Sequence, residues 1–165
     1  MKKKLLVVFV AAAALLLTAA VVGAIGKSDI AQVKSATVRF HRTENAQAAG
    51  WDLRDGLDHC FDNQPVGGMG YHYINTDILD DEVDVLQPEA MVYAPGPNGQ
   101  NKLGAVEYIV DQASWDAANP GELPEVLEQK FHLHSSLPIY ILHAWIWQNN
   151  PSGMFEDWNP NVSCP

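Results

Sequence analysis

Residues 89–110 constrain the fold most, because they have the pattern of a β-hairpin. EAMVYA (89–94) and KLGAVEYIV (102–110) are short runs in which β-branched and aromatic residues are frequent, as they are in strands. PGPNGQ between them combines Pro, Gly and Asn, the residues of tight turns. Since a hairpin joins two antiparallel strands, we predict an antiparallel sheet.

Other segments extend this sheet or flank it. Residues 71–75 follow a glycine cluster, which lets the backbone take positive φ angles before a strand begins, and PIYILHAWIW (138–147) is a long apolar strand. Residues 28–49 have apolar positions near helical spacing between a capping serine and a terminating glycine, which predicts one or two helices. PEVLEQKF (124–131) begins with proline at a first-turn position and predicts a short helix, whereas residues 111–123 predict a loop.

The whole pattern predicts an α+β fold in one globular domain, residues 27–165. An N-terminal helical segment is followed by an antiparallel β-rich core, either a sheet or a partly closed barrel, with long loops and one disulfide. The tail, residues 149–165, has no period but carries aromatic side chains, so we expect it to pack over the core.

Residues 1–26 have the pattern of a signal peptide. Three lysines precede an unbroken apolar run from Leu5, and small residues stand near its end as a cleavage site. The alternative is an uncleaved membrane anchor, since the run is close to the roughly 20 residues that span a bilayer. We therefore expect the domain to be secreted or periplasmic.

Cysteine content and net charge indicate the redox compartment and the classes of partner. Cys60 and Cys164 are the only cysteines, and an even pair in an oxidising compartment predicts a disulfide; a metal-bound thiolate or free thiol is the alternative. The chain has ten basic residues, and beyond the three in residues 1–26 seven remain against twenty acidic ones, a formal charge of about −13. This charge repels phosphate backbones and anionic lipids, which argues against nucleic acid and, beyond the N-terminal segment, against membrane surfaces as partners. It does not identify a ligand, and a small molecule stays open as a partner.

Three predicted strands each carry one ionisable residue among apolar neighbours: His72, Glu107 and His143. Burying a carboxylate is costly unless it is paired, hydrogen-bonded or bound to a metal. Imidazole nitrogens and a carboxylate oxygen on rigid strands can hold a divalent transition metal such as zinc, copper or iron, so we predict these residues as ligands. FHLH adds His132 and His134 on one side of an extended segment, and His132 is the predicted fourth ligand.

Two alternatives stay open at this point. The three strand residues could form a hydrogen-bonded core cluster without a metal, and the histidines of FHLH could be exposed before a Ser-Ser turn. The acidic segment 77–84 lacks the spacing of an EF-hand loop and is typical of a solvated loop. The chain has no Gly-x-Ser-x-Gly elbow, no phosphate-binding glycine loop and no Cys-x-x-Cys motif, so those enzyme classes have no support.

Three blocks of the chain are long and specific: GGMGYHYIN, PEAMVYAPGPNGQNKLGAVEYIV and LHAWIWQNNPSGMFEDWNPNVSC. In this order they resemble an uncharacterised family of exported bacterial proteins, over about residues 50–165. The resemblance implies a secreted bacterial domain and no particular reaction or ligand. We therefore expect an exported metal-binding domain, with a small metalloenzyme as the more specific form of this expectation. The alternative is a non-catalytic extracytoplasmic binding or structural module.

Overall fold

The computed structural model of the chain describes residues 29–165. The predicted signal peptide at residues 1–26 lies outside these residues. Within the described part, no helix is long and apolar enough to cross a membrane.

The N-terminal part of the fold is helical, as predicted. Residues 29–37 form α1, followed by a 3-10 turn (Val38–His41) and the short helix α2 (Thr43–Gln47). Val33, Phe40 and Ala46 are buried, so this segment packs its apolar side onto the rest of the domain.

The core is an antiparallel half-barrel of six strands in the order β1-β2-β3-β4-β8-β7, and β5 and β6 form a separate two-stranded hairpin. This confirms the predicted fold class. The strands are β1 (Phe61–Asn63), β2 (Gly67–Ile74), β3 (Ala90–Pro95), β4 (Asn101–Asp111), β5 (Glu125–Val126), β6 (Gln129–Lys130), β7 (His132–Leu133) and β8 (Ile139–Ala144).

The predicted hairpin forms between β3 and β4, at the centre of the sheet. The two strands pair antiparallel from Ala90 with Glu107 to Pro95 with Asn101, and a bulge lies between Val92 and Tyr93. The turn uses left-handed backbone at its tip, which the Asn-Gly pair of PGPNGQ tolerates.

β2 begins earlier than predicted, because the glycine cluster belongs to the strand. Gly70 has a φ of 99°, and a Cβ atom there would overlap the backbone carbonyl of Tyr93. Gly67 has a φ of 138°, and a Cβ atom there would overlap the backbone of Asn159. These glycines are therefore needed for close approach to β3 and to the C-terminal tail, as well as for conformational freedom.

The predictions for residues 111–131 are wrong in two places. The predicted loop contains the helix α3 (Gln112–Ala118), whose first turn is capped by the Asp111 side chain accepting from the backbone N–H of Ser114. The predicted helix at 124–131 is the β5–β6 hairpin, with Leu127 and Glu128 at positive φ in its turn. Burial of Val126 and Leu127 against the core outweighs the helix signal of the preceding proline.

The last predicted strand is shorter than its apolar run. β8 ends at Ala144, because the backbone N–H of Trp145 turns away and donates to the carbonyl of Met154 in the tail. The tail packs on the domain as predicted, with Asn159 and Val162 buried. The disulfide between Cys60 and Cys164 is present and ties this tail to the start of β1.

The sheet has two different faces. One face carries the main apolar core, in which large side chains such as Tyr93 and Tyr108 pack with the N-terminal helices. The opposite face carries a smaller apolar cluster centred on Ile109 and Ile141. Alternation along β4 places Glu107 on this second face, beside Ile109.

Candidate metal centre

Three strands bring His72, Glu107 and His143 to the second face of the half-barrel. Glu107 and His143 are register partners on β4 and β8. His72 is on β2, and β3 lies between it and Glu107. On β3 the register partner of His72 is Val92 and that of Glu107 is Ala90, so the two longer side chains reach each other diagonally across this strand.

The distances bring one ligand-type atom from each of these residues within 4.8 Å of the other two. His72 Nε2 is 3.2 Å from His143 Nε2 and 3.5 Å from Glu107 Oε2. Two ligands bound at about 2.0–2.2 Å to a tetrahedral metal lie roughly 3.3–3.5 Å apart, so this spacing fits a shared metal ion. It also fits a hydrogen bond between the two imidazoles, one ring donating and the other accepting.

Burial sets the protonation of the cluster. All three side chains are at least nine-tenths buried. Burial, together with the neighbouring His143, lowers the pKa of His72 to about 3, so its ring is neutral and has a lone pair free for a metal. Burial also raises the pKa of Glu107. For His143 burial acts to lower the pKa, but the Glu107 and Asp157 carboxylates outweigh it and the net direction is upward.

Asp157 completes the cluster from the C-terminal tail, and the sequence analysis missed it. Its Oδ1 is 3.3 Å from His143 Nδ1, and its Oδ2 is 3.1 Å from His132 Nε2. The contact with His143 is close but poorly aligned: within residues 29–165, neither that Nδ1 nor that Oδ1 has a hydrogen-bond partner of good geometry. Burial alone would raise the pKa of Asp157, but the two histidines lower it. His143 Nδ1 thus lies near the carboxylates of both Asp157 and, at 3.6 Å, Glu107, while its Nε2 faces His72.

His132 and His134 are placed at the edge of the cluster. The His132 side chain is 48% exposed and contacts Asp157, and it is not among the three residues whose ligand atoms converge. His134 accepts from the backbone N–H groups of Ser136 and Leu137, in the turn that leads to β8. The role of His132 as a fourth ligand stays a prediction.

Glu89 is a second buried carboxyl group that sequence reasoning did not single out. It directly precedes β3, and its Oε2 accepts a 2.9 Å hydrogen bond from the backbone N–H of Ile109. Burial raises the pKa of Glu89 to about 8. The Glu89 side chain does not line the cavity beside the cluster, so its role is to satisfy the backbone of β4.

A cavity of about 450 Å³ opens beside the His–Glu–His cluster. His72, Glu107, His143 and Asp157 line one part of it. Isoleucines from β2, β4 and β8 line another part, together with Leu133 of β7 and Leu137 of the β7–β8 turn. The cluster is therefore accessible to a small molecule while its side chains are almost fully buried.

The cluster and its cavity are the structural features that bear on function. No family model, curated protein or solved structure matches the chain. Membership of the exported bacterial family suggested by the three sequence blocks therefore stays a prediction.

Proposed function

We propose that this domain binds one divalent transition metal through His72 Nε2, His143 Nε2 and a carboxylate oxygen of Glu107. The observation that carries the proposal is the convergence of these three side chains, from strands far apart in sequence, on one point beside a cavity. Zinc, copper and iron all accept this set of two imidazoles and one carboxylate.

The surroundings of the cluster support a metal over a closed polar core. The Asp157 carboxylate lies 3.3 Å from His143 Nδ1, the ring nitrogen that the proposed metal does not use. The arrangement of Asp157 behind His143 is the carboxylate–histidine pair that orients many metal ligands.

Three protein ligands leave at least one coordination position for another molecule. An open position is typical of catalytic metal sites, whereas structural sites are closed by four protein ligands. A metal held here would polarise an oxygen atom of water or substrate that reached it through the cavity. We therefore propose a small metalloenzyme as the finer form of this function.

A second candidate is a metal-free binding or structural module, and one observation favours it. The 3.2 Å separation of His72 and His143 is also that of a direct hydrogen bond. In this form Glu107 and Asp157 would balance a proton held on His143, and the cluster would only complete the core.

The compartment proposed from the sequence is extracytoplasmic. A disulfide between Cys60 and Cys164 is the pattern of proteins that fold in an oxidising environment. Export through residues 1–26 is part of the same proposal.

Metal analysis distinguishes the two candidates. Protein purified without a histidine tag is titrated with zinc by calorimetry, and its metal content is measured by mass spectrometry. We expect one zinc per chain in the wild type and in His41→Ala, which removes an exposed histidine from the helical segment. We expect loss of binding in His143→Ala and at least a tenfold loss in Glu107→Gln, which keeps the side-chain shape but is a poorer ligand. Absence of stoichiometric metal in the wild type would refute the metal site and leave the core cluster.

A further inference from the structure

We infer that the cavity beside the cluster binds small amphiphilic molecules with an apolar body and a single terminal oxygen donor, with that oxygen at the metal. The inference rests on the proposed metal site and adds its ligand class. The observation behind it is that the ionisable cluster lines one part of the cavity and isoleucines line another.

Each ligand-bearing strand supplies an isoleucine two residues from its ligand, on the same face. Ile74 follows His72 on β2, Ile109 follows Glu107 on β4, and Ile141 precedes His143 on β8. By register, Ile109 and Ile141 are partners one pair beyond Glu107 and His143, and Ile74 is level with Glu107 across Ala90. The three isoleucines pack in one apolar cluster with Ala90. The cavity therefore has a polar end, formed by the cluster, and an apolar wall, formed by the isoleucines.

The apolar wall continues to the opening of the cavity. Ile139 extends the isoleucine row by one more pair of residues along β8. Leu133 and Leu137 line the cavity although they are 50% and 45% exposed. Exposed apolar side chains beside a cavity are a feature of entrances for apolar ligands.

The charged side chains that line the cavity favour a ligand with a single anionic group. The charged or ionisable side chains that line the cavity in residues 29–165 are histidines, Glu107 and Asp157, and neither Lys nor Arg is among them. A bound divalent metal would therefore be the one fixed positive charge available to a ligand anion. A second anionic group would lie along the isoleucine wall, where burying a charge without a partner is costly, or near the opening, where Ser135 and Ser136 line the cavity but no Lys or Arg does.

The size of the cavity suits a short chain. Ligand cavities of roughly 300–1,000 Å³ enclose molecules up to drug size, and 450 Å³ is in the lower part of that range. Monocarboxylates of four to eight carbons have the inferred form and differ only in the length of the apolar body.

Calorimetry of the zinc-loaded protein with butanoate, hexanoate and octanoate tests the inference. Each methylene buried against the apolar wall contributes about 0.8 kcal/mol, so we expect affinity to rise about fourfold per added methylene. Hexanedioate, which has the length of hexanoate and a second carboxylate, is the matched control and should bind at least tenfold more weakly.

Two variants locate the binding. Leu137→Ser removes an apolar side chain from the opening and should weaken octanoate several-fold. Leu123→Ser, equally exposed but outside the cavity, should leave it unchanged. Bound zinc with no dependence on chain length, or equal affinity for hexanoate and hexanedioate, would overturn the ligand class while the metal site stands. Failure of zinc itself to bind would overturn both.

Discussion

His72 and His143 lie 71 residues apart in the sequence, yet their Nε2 atoms are 3.2 Å apart on the second face of the half-barrel. The two rings are perpendicular, with centroids 5.5 Å apart, so they meet by their nitrogen edges and do not stack. Glu107 lies beside both rings, and Asp157 lies behind His143. The buried ionisable cluster distinguishes the second face of the sheet from the first face, which carries the main apolar core.

Asp157 should control metal affinity without being a ligand. Asp157→Asn removes the negative charge behind His143 while keeping the size of the side chain. We expect zinc affinity to fall about 10- to 100-fold, as it does when carboxylates behind metal-binding histidines are replaced, with one zinc still bound at saturation. Competition with a chromophoric chelator measures both quantities.

His132→Ala is the companion variant, because His132 contacts Asp157 from the exposed side. If His132 acts through Asp157, its loss should weaken zinc binding less than Asp157→Asn does. A loss larger than that of Asp157→Asn would instead support His132 as the fourth ligand.

Glu89 should make the protein less stable as the pH rises. Its pKa is about 8 in the folded protein against 4.5 as the ordinary value, so the folded state holds a proton that the unfolded state releases between these pH values. The free energy of unfolding should therefore decrease from about pH 4.5 to pH 8, on the order of 1.4 kcal/mol per pH unit from this group at most. Glu89→Gln should flatten this dependence, because the amide oxygen can still accept from Ile109 and no charge develops.

Urea denaturation across this pH range measures the Glu89 effect. Glu82→Gln, which removes an exposed carboxyl from the acidic segment, is the control and should follow the wild-type curve. An unchanged pH dependence in Glu89→Gln would contradict a protonated Glu89 in the folded protein.

Gly70 should be intolerant of any side chain. Gly70→Ala places a Cβ atom against the Tyr93 carbonyl at a φ of 99°, so β2 and β3 must separate near His72. We expect a loss of at least 3 kcal/mol in the free energy of unfolding. Gly56→Ala also has a positive φ, 80°, but meets no atom within 4 Å, and should cost only about 1 kcal/mol. Equal losses in the two variants would show that backbone strain alone decides and that the close approach to β3 is unimportant.

How much the sequence could predict differs between the parts of the site. The β3–β4 hairpin was recognisable from its two apolar runs and the turn residues between them. The ionisable residues of β2, β4 and β8 were recognisable because each interrupts a local apolar run. That side chains of β2 and β4 meet across β3 depends on strand order and curvature, which one sequence does not encode locally. Asp157 was missed because it lies in an aperiodic tail, whose position is set by the disulfide and by pairing of Asn159 with Gly68.

The errors at residues 111–131 have a different origin. PEVLEQKF has a helix-starting proline and good helix formers, but Val126 and Leu127 reach the core only if the chain reverses between them and Gln129. In the preceding segment, the cap of α3 could have been found, because aspartate is a preferred N-cap residue. Its side chain accepts from a backbone N–H in the first helical turn, as Asp111 does from Ser114. The predicted helix was wrong because tertiary burial outweighed the local helix signal. The predicted loop was wrong because the Asp111 cap was overlooked.

Anomalous diffraction at the zinc absorption edge, from crystals of the zinc-loaded full domain, tests the central claim most directly. The metal site predicts a single strong peak about 2.0–2.2 Å from His72 Nε2, His143 Nε2 and a Glu107 oxygen, with Asp157 hydrogen-bonded to His143 Nδ1. A map without a peak among these side chains, in which the two Nε2 atoms keep their direct hydrogen bond, would contradict it.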